Sequence, residues 1–568
     1  MTDRRADLII QGRIATLAGD RGFGWVEAIA IGSGRILAAG RATEIAVLAG
    51  QRTRTWHLSP GEVVLPAITD AHLHLLTAAQ EATEVALGDA PDRAAILARI
   101  HERAQRMNAQ GDDGWLVGHG WSLDRMGSWP TADDLDRVAP GRPVSLVSHD
   151  HHSRWVSRAA LRAAGIDAAT SDPEGGLIRR GDRGEPSGLL HEHATKLVFA
   201  VIPRMSDARL EAALAEYAAR LAAFGVVAAQ DPGELGDDAQ LRWGPTFYRR
   251  LATAGRLPLR VASSIRPEQL EAAVARGFRS GERVAAASAD DPAASQVAAR
   301  YRGGWLKLFA DGALGSRSAA LLAPYEVEDD WRRPVGGPAG MLLEPAQVLG
   351  ELAGRASAAG IAVQIHGIGD AAVRTALDIL ATLPSVSGDV RHRVEHAQLI
   401  DPTDIGRFGA SGIVASVQPC HLAGDAPMAR AAWGARTAWT FPLRSLSDRG
   451  AILAFGTDAP VESADPWPGI ALAVSRAASP WVDSDGPFHP DQAIDLAQAI
   501  RGACLGPASS AGEMDRGRLV AGCRADLIVV DAAALDEPVR SSGALTVARP
   551  SATLFDGEIV HRAEGFGR

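Results

Sequence analysis

Two histidines one residue apart, His72 and His74, close an apolar run in VVLPAITDAHLHL (Val63–Leu75). In an extended strand, residues i and i+2 face the same side, so the two imidazoles stand together. Neutral imidazole is a common zinc ligand. Further along, other polar residues interrupt or end apolar stretches: Lys307 in WLKLFADG, His366 after AVQI, His396 after RVE and Asp458 in AFGTD. Each has a plain structural reading taken singly. A strand-end histidine packs, a lysine snorkels, an aspartate caps the next helix. Six such groups in successive strands point instead to convergence on one site.

Parallel strands closed into a barrel place all their C-terminal ends on one face, and active sites are built there. The centre of the chain supplies the required alternation. Helical patterns at Arg93–Met107 and Ser206–Phe224, the latter with Ser206 as N-cap and Gly225 as stop, lie among short apolar strands. Those strands read at Gly114–Gly120, Val226–Gln230, Trp305–Phe309, Ala362–His366, Arg393–Ala397, Ile413–Gln418 and Ile452–Phe455. The expected fold is α/β, a (β/α)8 TIM-like barrel over residues 63–510. Residues 143–193 break the rhythm with Gly, charge and the histidine groups His149–His152 and His191–His193, and read as an insertion on a barrel loop. At the chain ends, short strands include a Gly32-Ser33-Gly34 turn, an Asp556-Gly557 hairpin signal and the echo of ADLII (Ala6–Ile10) in ADLIVVD (Ala525–Asp531). Neither end buries a sheet face alone. A small composite β-sandwich domain from residues 1–62 and 511–568 is the economical solution.

A chain of 568 residues with a formal net charge of -10 lacks the basic footprint of a nucleic-acid or anionic-membrane partner. The partner expected is a small molecule; a homodimer is only the base-rate expectation. Cys420, Cys504 and Cys523 form no CxxC pattern and no disulfide framework. With no secretory signal at the N-terminus and no bilayer-spanning run, a cytoplasmic location is expected.

The order HxH, Lys, His, His, Asp resembles the metal-dependent amidohydrolase superfamily. KLFADGALGSR (Lys307–Arg317), HGIGD (His366–Asp370), RVEHAQ (Arg393–Gln398), SVQP (Ser416–Pro419) and FGTDAP (Phe455–Pro460) resemble its branch that includes N-substituted formamide deformylase, amidohydrolase family 3. The likeness extends to GRLVAGCRADLIVVD (Gly517–Asp531). It implies hydrolysis of a C–N bond in an amide, N-formyl, carbamate or cyclic amide by metal-activated hydroxide. It implies His72, His74, Lys307, His366, His396 and Asp458 as ligands of two divalent ions, zinc being expected. Lys307 would be carboxylated by carbon dioxide and bridge the two ions. His72, His74 and Asp458 would hold one ion, and His366 and His396 the other. Asp458, Lys307 and His396 are the expected catalytic groups, with Asp458 as proton carrier. His152 matches a histidine of the branch on the inserted segment and is expected at the substrate, as are Asp311 and Arg317; Asp231 has equal claims as a substrate contact or a loop cap. The alternative is a one-metal deaminase of an aromatic or heterocyclic amine. Such enzymes carry a Glu three residues after the third histidine, where this chain has Gly369.

Overall fold

The computed structural model describes residues 5–149, 153–173, 176–192, 194–233, 244–287, 292–315, 317–326, 334, 336–477, 486–536 and 543–566. The chain divides into two compact units. The first comprises Met1–His74, Ala218–Gly233 and Trp243–Arg568; the second comprises Leu75–Tyr217 and Glu234–Arg242.

At the heart of the first unit is a parallel sheet of eight strands. In chain order these are β1 (Ile68–Asp70), β2 (Val226–Asp231), β3 (Arg260–Ile265), β4 (Tyr301–Phe309), β5 (Ala362–Gly367), β6 (Arg393–His396), β7 (Val414–Val417) and β8 (Leu453–Phe455). Neighbours in chain order pair in parallel all the way round. Across the remaining seam the Ala71 N–H donates to the Phe455 carbonyl at 2.9 Å, so the barrel is nearly closed. The strands are buried almost throughout, as a sheet covered on both faces must be. Strand β3 was not anticipated from sequence. Its LRVASSI stretch carries Arg260, Ser263 and Ser264, which dilute the apolar signal although all three are buried.

Helices after the strands follow from local chemistry. In Asp370–Leu380 the buried Ala372, Val373, Ala376, Leu377 and Leu380 form one stripe at helical spacing. In Pro402–Ser411 the Asp401 side chain accepts the Thr403 N–H at 2.9 Å, Pro402 opens the first turn, and Gly412 closes the helix at φ 70°.

Both chain ends feed a second eight-stranded sheet in the same unit. Its order is Glu558–Arg562, Ala552–Phe555, Leu527–Asp531, Glu62–Pro66, Leu8–Ala15, Trp25–Gly32, Arg35–Gly40, with Arg54–His57 beside Leu8–Ala15. Ser33-Gly34 (φ 51° and 72°) and Asp556-Gly557 (φ 51° and 80°) have the paired positive φ of tight hairpin turns. Leu8, Ile10, Val64, Leu527, Val529 and Leu554 share one core.

The second unit holds a six-stranded sheet, ordered Gly176–Arg180, Pro186–Glu192, Ser153–Val156, Val144–Ser148, Leu116–Trp121, Val85–Ala86. Gly114–Gly120, read from sequence among the barrel strands, belongs here instead. The segment expected as an insertion at 143–193 is part of this larger unit. Among the described residues no helix is long and apolar enough to cross a membrane.

Arg260, at the start of β3, anchors the terminal sheet to the barrel. Its Nη1 lies 2.6 Å from Asp526 Oδ2, its Nη2 pairs with Asp556, and its guanidinium lies over the Phe555 ring. All three charged groups are buried. Removing the cation would leave the buried Asp526 without its ionic partner and Asp556 with Arg524 alone, and breaking a buried pair costs about 3–5 kcal/mol. Arg260→Met should therefore lower the thermal unfolding midpoint by several degrees. A midpoint unchanged by calorimetry would show that the pair is not structural.

Candidate metal centre

At or just past the ends of β1, β5, β6 and β8 the expected ligands draw together. His72 Nε2 and His74 Nε2 lie 3.4 and 3.3 Å from Asp458 Oδ1. The His72 ring centroid is 5.1 Å from His396, and His396 is 4.4 Å from His366. The ligand atoms of His72, His74 and Asp458 lie within 4.8 Å of one another, as do those of His396, His421 and Asp458. All are buried or nearly so.

Each imidazole is oriented by its other nitrogen. His72 Nδ1 meets Glu395 Oε2 at 2.5 Å, His74 Nδ1 meets the Gly233 carbonyl at 2.5 Å, and His366 Nε2 meets the Gly312 carbonyl at 3.0 Å. An acceptor at that position makes the contacting nitrogen the N–H donor and leaves a lone pair on the other. Burial, reinforced by the charge of Lys307, lowers His72 to about pKa 4 and His366 to about 3. His396 is also held well below the ordinary histidine range, first by burial and then by His366. Burial pushes the Asp458 carboxyl up, but His72, His421 and His74 outweigh it and hold the group well below the usual carboxylate range. Neutral imidazoles at His72, His366 and His396 beside an ionised carboxylate suit a divalent ion; at His421 hydrogen bonds to Asp458 and Glu462 outweigh burial and hold the imidazole well above the ordinary histidine range.

Lys307 is 1% exposed at the middle of this group. Among the described residues its Nζ has no hydrogen bond or ion pair, and it sits 4.9 Å from the Phe309 ring centroid. Burial lowers its pKa to about 8.

The remaining expected residues fall in different places. Asp311 is buried, with both carboxylate oxygens engaged: Oδ1 accepts from Ile368 N, and Oδ2 from Ala320 N and Gly369 N, at 2.8–3.0 Å. It shapes the turn that follows His366. Asp231 accepts the Tyr248 hydroxyl at 2.6 Å and the Gly233 N–H at 2.8 Å, which fixes the carbonyl that orients His74. Arg317 is half-buried in the turn after β4, at φ 54°. His152 lies outside the described residues.

Two residues of the cluster were not singled out from sequence. Glu395 faces the barrel interior between Arg393 and His72. His421 follows β7, with Nε2 3.3 Å from Asp458 Oδ2 and Nδ1 3.6 Å from Glu462 Oε1. The available signals were a Glu two residues after Arg393, on the same strand face, and a histidine just beyond a strand end.

A parallel barrel with this cluster at its strand ends defines a metal-dependent hydrolase. Residues 60–561 match the amidohydrolase family, and the chain belongs to it. It is 30% identical over 514 residues to a putative amidohydrolase, YtcJ, of Bacillus subtilis (strain 168), covering 88% of this chain and 89% of that protein. It is 28% identical over 585 residues to the N-substituted formamide deformylase of Arthrobacter pascens, covering the whole of both. Among solved structures it is similar to an uncharacterized metal-dependent hydrolase from Pyrococcus furiosus, with a TM-score of 0.71, 25% identity, and coverage of 94% of this chain and 99% of that one.

Glu395 supports a ligand without belonging to the ligand set. Loss of such a supporting contact weakens metal binding by roughly 10–100-fold. Glu395→Gln should show that loss when zinc affinity is measured by chelator competition. Parent-like affinity would remove Glu395 from the centre.

Proposed function

We infer that the chain hydrolyses a C–N bond in a small molecule: an amide, an N-formyl amine, a carbamate or a cyclic amide. The observation that carries the reading is Lys307, buried and unpaired between histidine and aspartate ligands. An unpaired ammonium there is costly, so the nitrogen must pair, lose its proton or react. A lowered pKa favours the free amine. That amine adds to carbon dioxide and gives up one proton, leaving a carbamate with one negative charge and two oxygens. The full-length likeness to a formamide deformylase supports the same bond class.

In this reading His72, His74 and Asp458 would hold one zinc ion and His366 and His396 the other, with carboxylated Lys307 supplying a further carboxylate to the centre. His421 lies beside His396 and Asp458, with Nε2 facing Asp458 and Nδ1 facing Glu462. When bound, the ions acidify water and polarise the scissile carbonyl. Asp458, kept ionised by its histidine neighbours, takes the proton of the attacking water and passes it to the leaving nitrogen as the C–N bond breaks. His421 holds the second oxygen of that carboxylate through the exchange. Arg317 remains assigned to substrate, whereas Asp311 acts through the turn after His366.

Lys307→Ala and Lys307→Arg test the reading together. Both should lose at least one of about two metals per chain, the number a bridged hydrolytic site holds. Turnover of an N-formyl amine panel should fall by roughly a thousandfold or more, since a ligand and not merely its support is removed. Acetate or propionate should partly restore Lys307→Ala, and neither should restore Lys307→Arg, whose guanidinium stays charged. Two metals and near-normal turnover in Lys307→Arg would replace the bridged centre with a one-metal mechanism.

A further inference from the structure

At the strand starts, opposite the metal centre, the barrel holds a second group of buried charges. Register sets Ala228 beside Arg260, and Ala262 beside both Gln230 and Arg302, so these residues of β2, β3 and β4 share one face. Gln230 accepts from Arg393 inside the barrel, so that face is the inner one. Arg300, just before β4, and Glu513 and Arg516, after the helix Leu496–Ser510, join them around a small cavity. Its volume of about 10 Å³ is room for one water-sized sphere. Arg260 and Arg516 are 3% exposed and Arg302 is 7% exposed; Arg300 is half-buried.

The charges around this cavity do not balance. Arg260 pairs with Asp526 and Asp556, and Arg524 with Asp515 and Asp556. Arg516 Nε lies 2.8 Å from Glu513 Oε2. Arg302 must share that glutamate, with Nη1 3.8 Å from Oε1, and its Nη2 reaches the Gly281 carbonyl only at 3.5 Å. Arg300 has no ion pair among the described residues. Its Nη1 donates to the Leu257 carbonyl at 2.9 Å, and its guanidinium lies 4.4 Å from the Phe555 ring centroid. Five guanidiniums thus stand against four carboxylates, and the exposed Arg35, which also reaches Asp515, enlarges the excess. Burial pushes Arg300 and Arg302 below the usual arginine range by more than Asp556 and Glu513 offset. Nε of Arg260, Arg300 and Arg302, and Nη1 of Arg302, are buried and make no hydrogen bond. A guanidinium keeps its proton, so this surplus is not relieved by deprotonation. A buried charge calls for a partner of opposite sign.

An anion that answers one surplus charge within one water-sized space is monatomic; a carboxylate, phosphate or sulfate is too large for it. We propose that the floor of the barrel binds a single halide ion, chloride, between Arg300 and Arg302, with Arg260 and Arg516 beside them. The ion joins the starts of β3 and β4 to the segment that carries Glu513 and Arg516. Its effect is therefore on the stability of the barrel, and the proposal does not depend on the reaction at the metal centre.

Thermal unfolding of the full chain at constant ionic strength, with chloride exchanged for gluconate, tests it. A ligand held by the folded state alone raises the midpoint, by about 2 °C in a chain of this size once it is roughly a hundredfold above its Kd. Chloride and bromide should each produce that rise over gluconate. Arg300→Gln and Arg302→Gln should each abolish it, because each removes the surplus charge, while zinc content stays at the parent level. Arg300→Gln, at a half-buried position, keeps the test valid if Arg302→Gln fails to fold. In crystals grown with bromide, anomalous diffraction should place one ion against Arg300 and Arg302. The proposal falls if the midpoint is the same in chloride and gluconate, or if the rise persists in Arg300→Gln. It falls also if bromide is found only on the protein surface and water alone occupies the cavity.

Discussion

Glu395 is a carboxylate with no exposure at all, and the centre depends on how it is neutralised. Burial alone would favour the protonated acid, yet Arg393, His72 and Lys307 hold it well below the usual carboxylate range. Arg393 grips both its oxygens from two residues away on the same strand. The same guanidinium bonds Gln230 on β2, Ser510 in the helix after β8, and the Ala71 carbonyl at 2.5 Å beyond β1. An ionised acceptor at His72 Nδ1 requires that nitrogen to carry the proton, so Nε2 turns its lone pair toward Asp458. One ligand's tautomer is thus inherited from an ionic network spanning several barrel strands.

The same logic recurs with different atoms. His72 and His74 spend Nδ1 on acceptors, whereas His366 spends Nε2. The acceptors are in turn fixed: Gly233 by Asp231, and the turn after His366 by Asp311. At the barrel seam, Asp70 Oδ1 accepts from His72 N and Thr457 N, both at 3.0 Å, and Oδ2 accepts the Thr457 hydroxyl at 2.6 Å. That carboxylate joins the end of β1 to the end of β8, one residue from Asp458. Carboxylates buried one layer below the ligands hold the backbone that aims them.

The expected ligands were legible because most sit at or just past the end of a short strand and Lys307 interrupts the apolar run WLKLF, contrasts that composition marks. Glu395 was hidden because it points into the barrel interior, inside a strand read as continuous. His421 was hidden because Gln418 and Pro419 separate it from the strand end and a short 3-10 turn carries it back. The extent of the second unit was illegible for another reason. Helix Arg93–Ala109 and strand Leu116–Trp121 have the same local alternation as the barrel's own elements. Only long-range pairing separates them: Leu116–Trp121 lies beside Val144–Ser148 and Val85–Ala86, not beside a barrel strand. Local periodicity carries no record of which sheet a strand joins.

Two of the candidate ligands sit at backbone angles that side chains rarely adopt: His396 at φ 67° and Asp458 at φ 60°. Left-handed conformations at non-glycine residues cost of order 1–3 kcal/mol each and persist where the surroundings over-determine them. Here they do. Asp458 N donates to the His72 carbonyl at 2.7 Å and Val461 N to the Asp458 carbonyl at 2.9 Å; next to His396, Ala397 N donates to the Glu395 carbonyl at 2.9 Å. A strand continuing at ordinary angles would carry these side chains past the barrel mouth. The left-handed turn folds them back toward His72 and His366. The centre is therefore set by backbone geometry as well as by side-chain contacts, and the strain is borne by the rigid barrel.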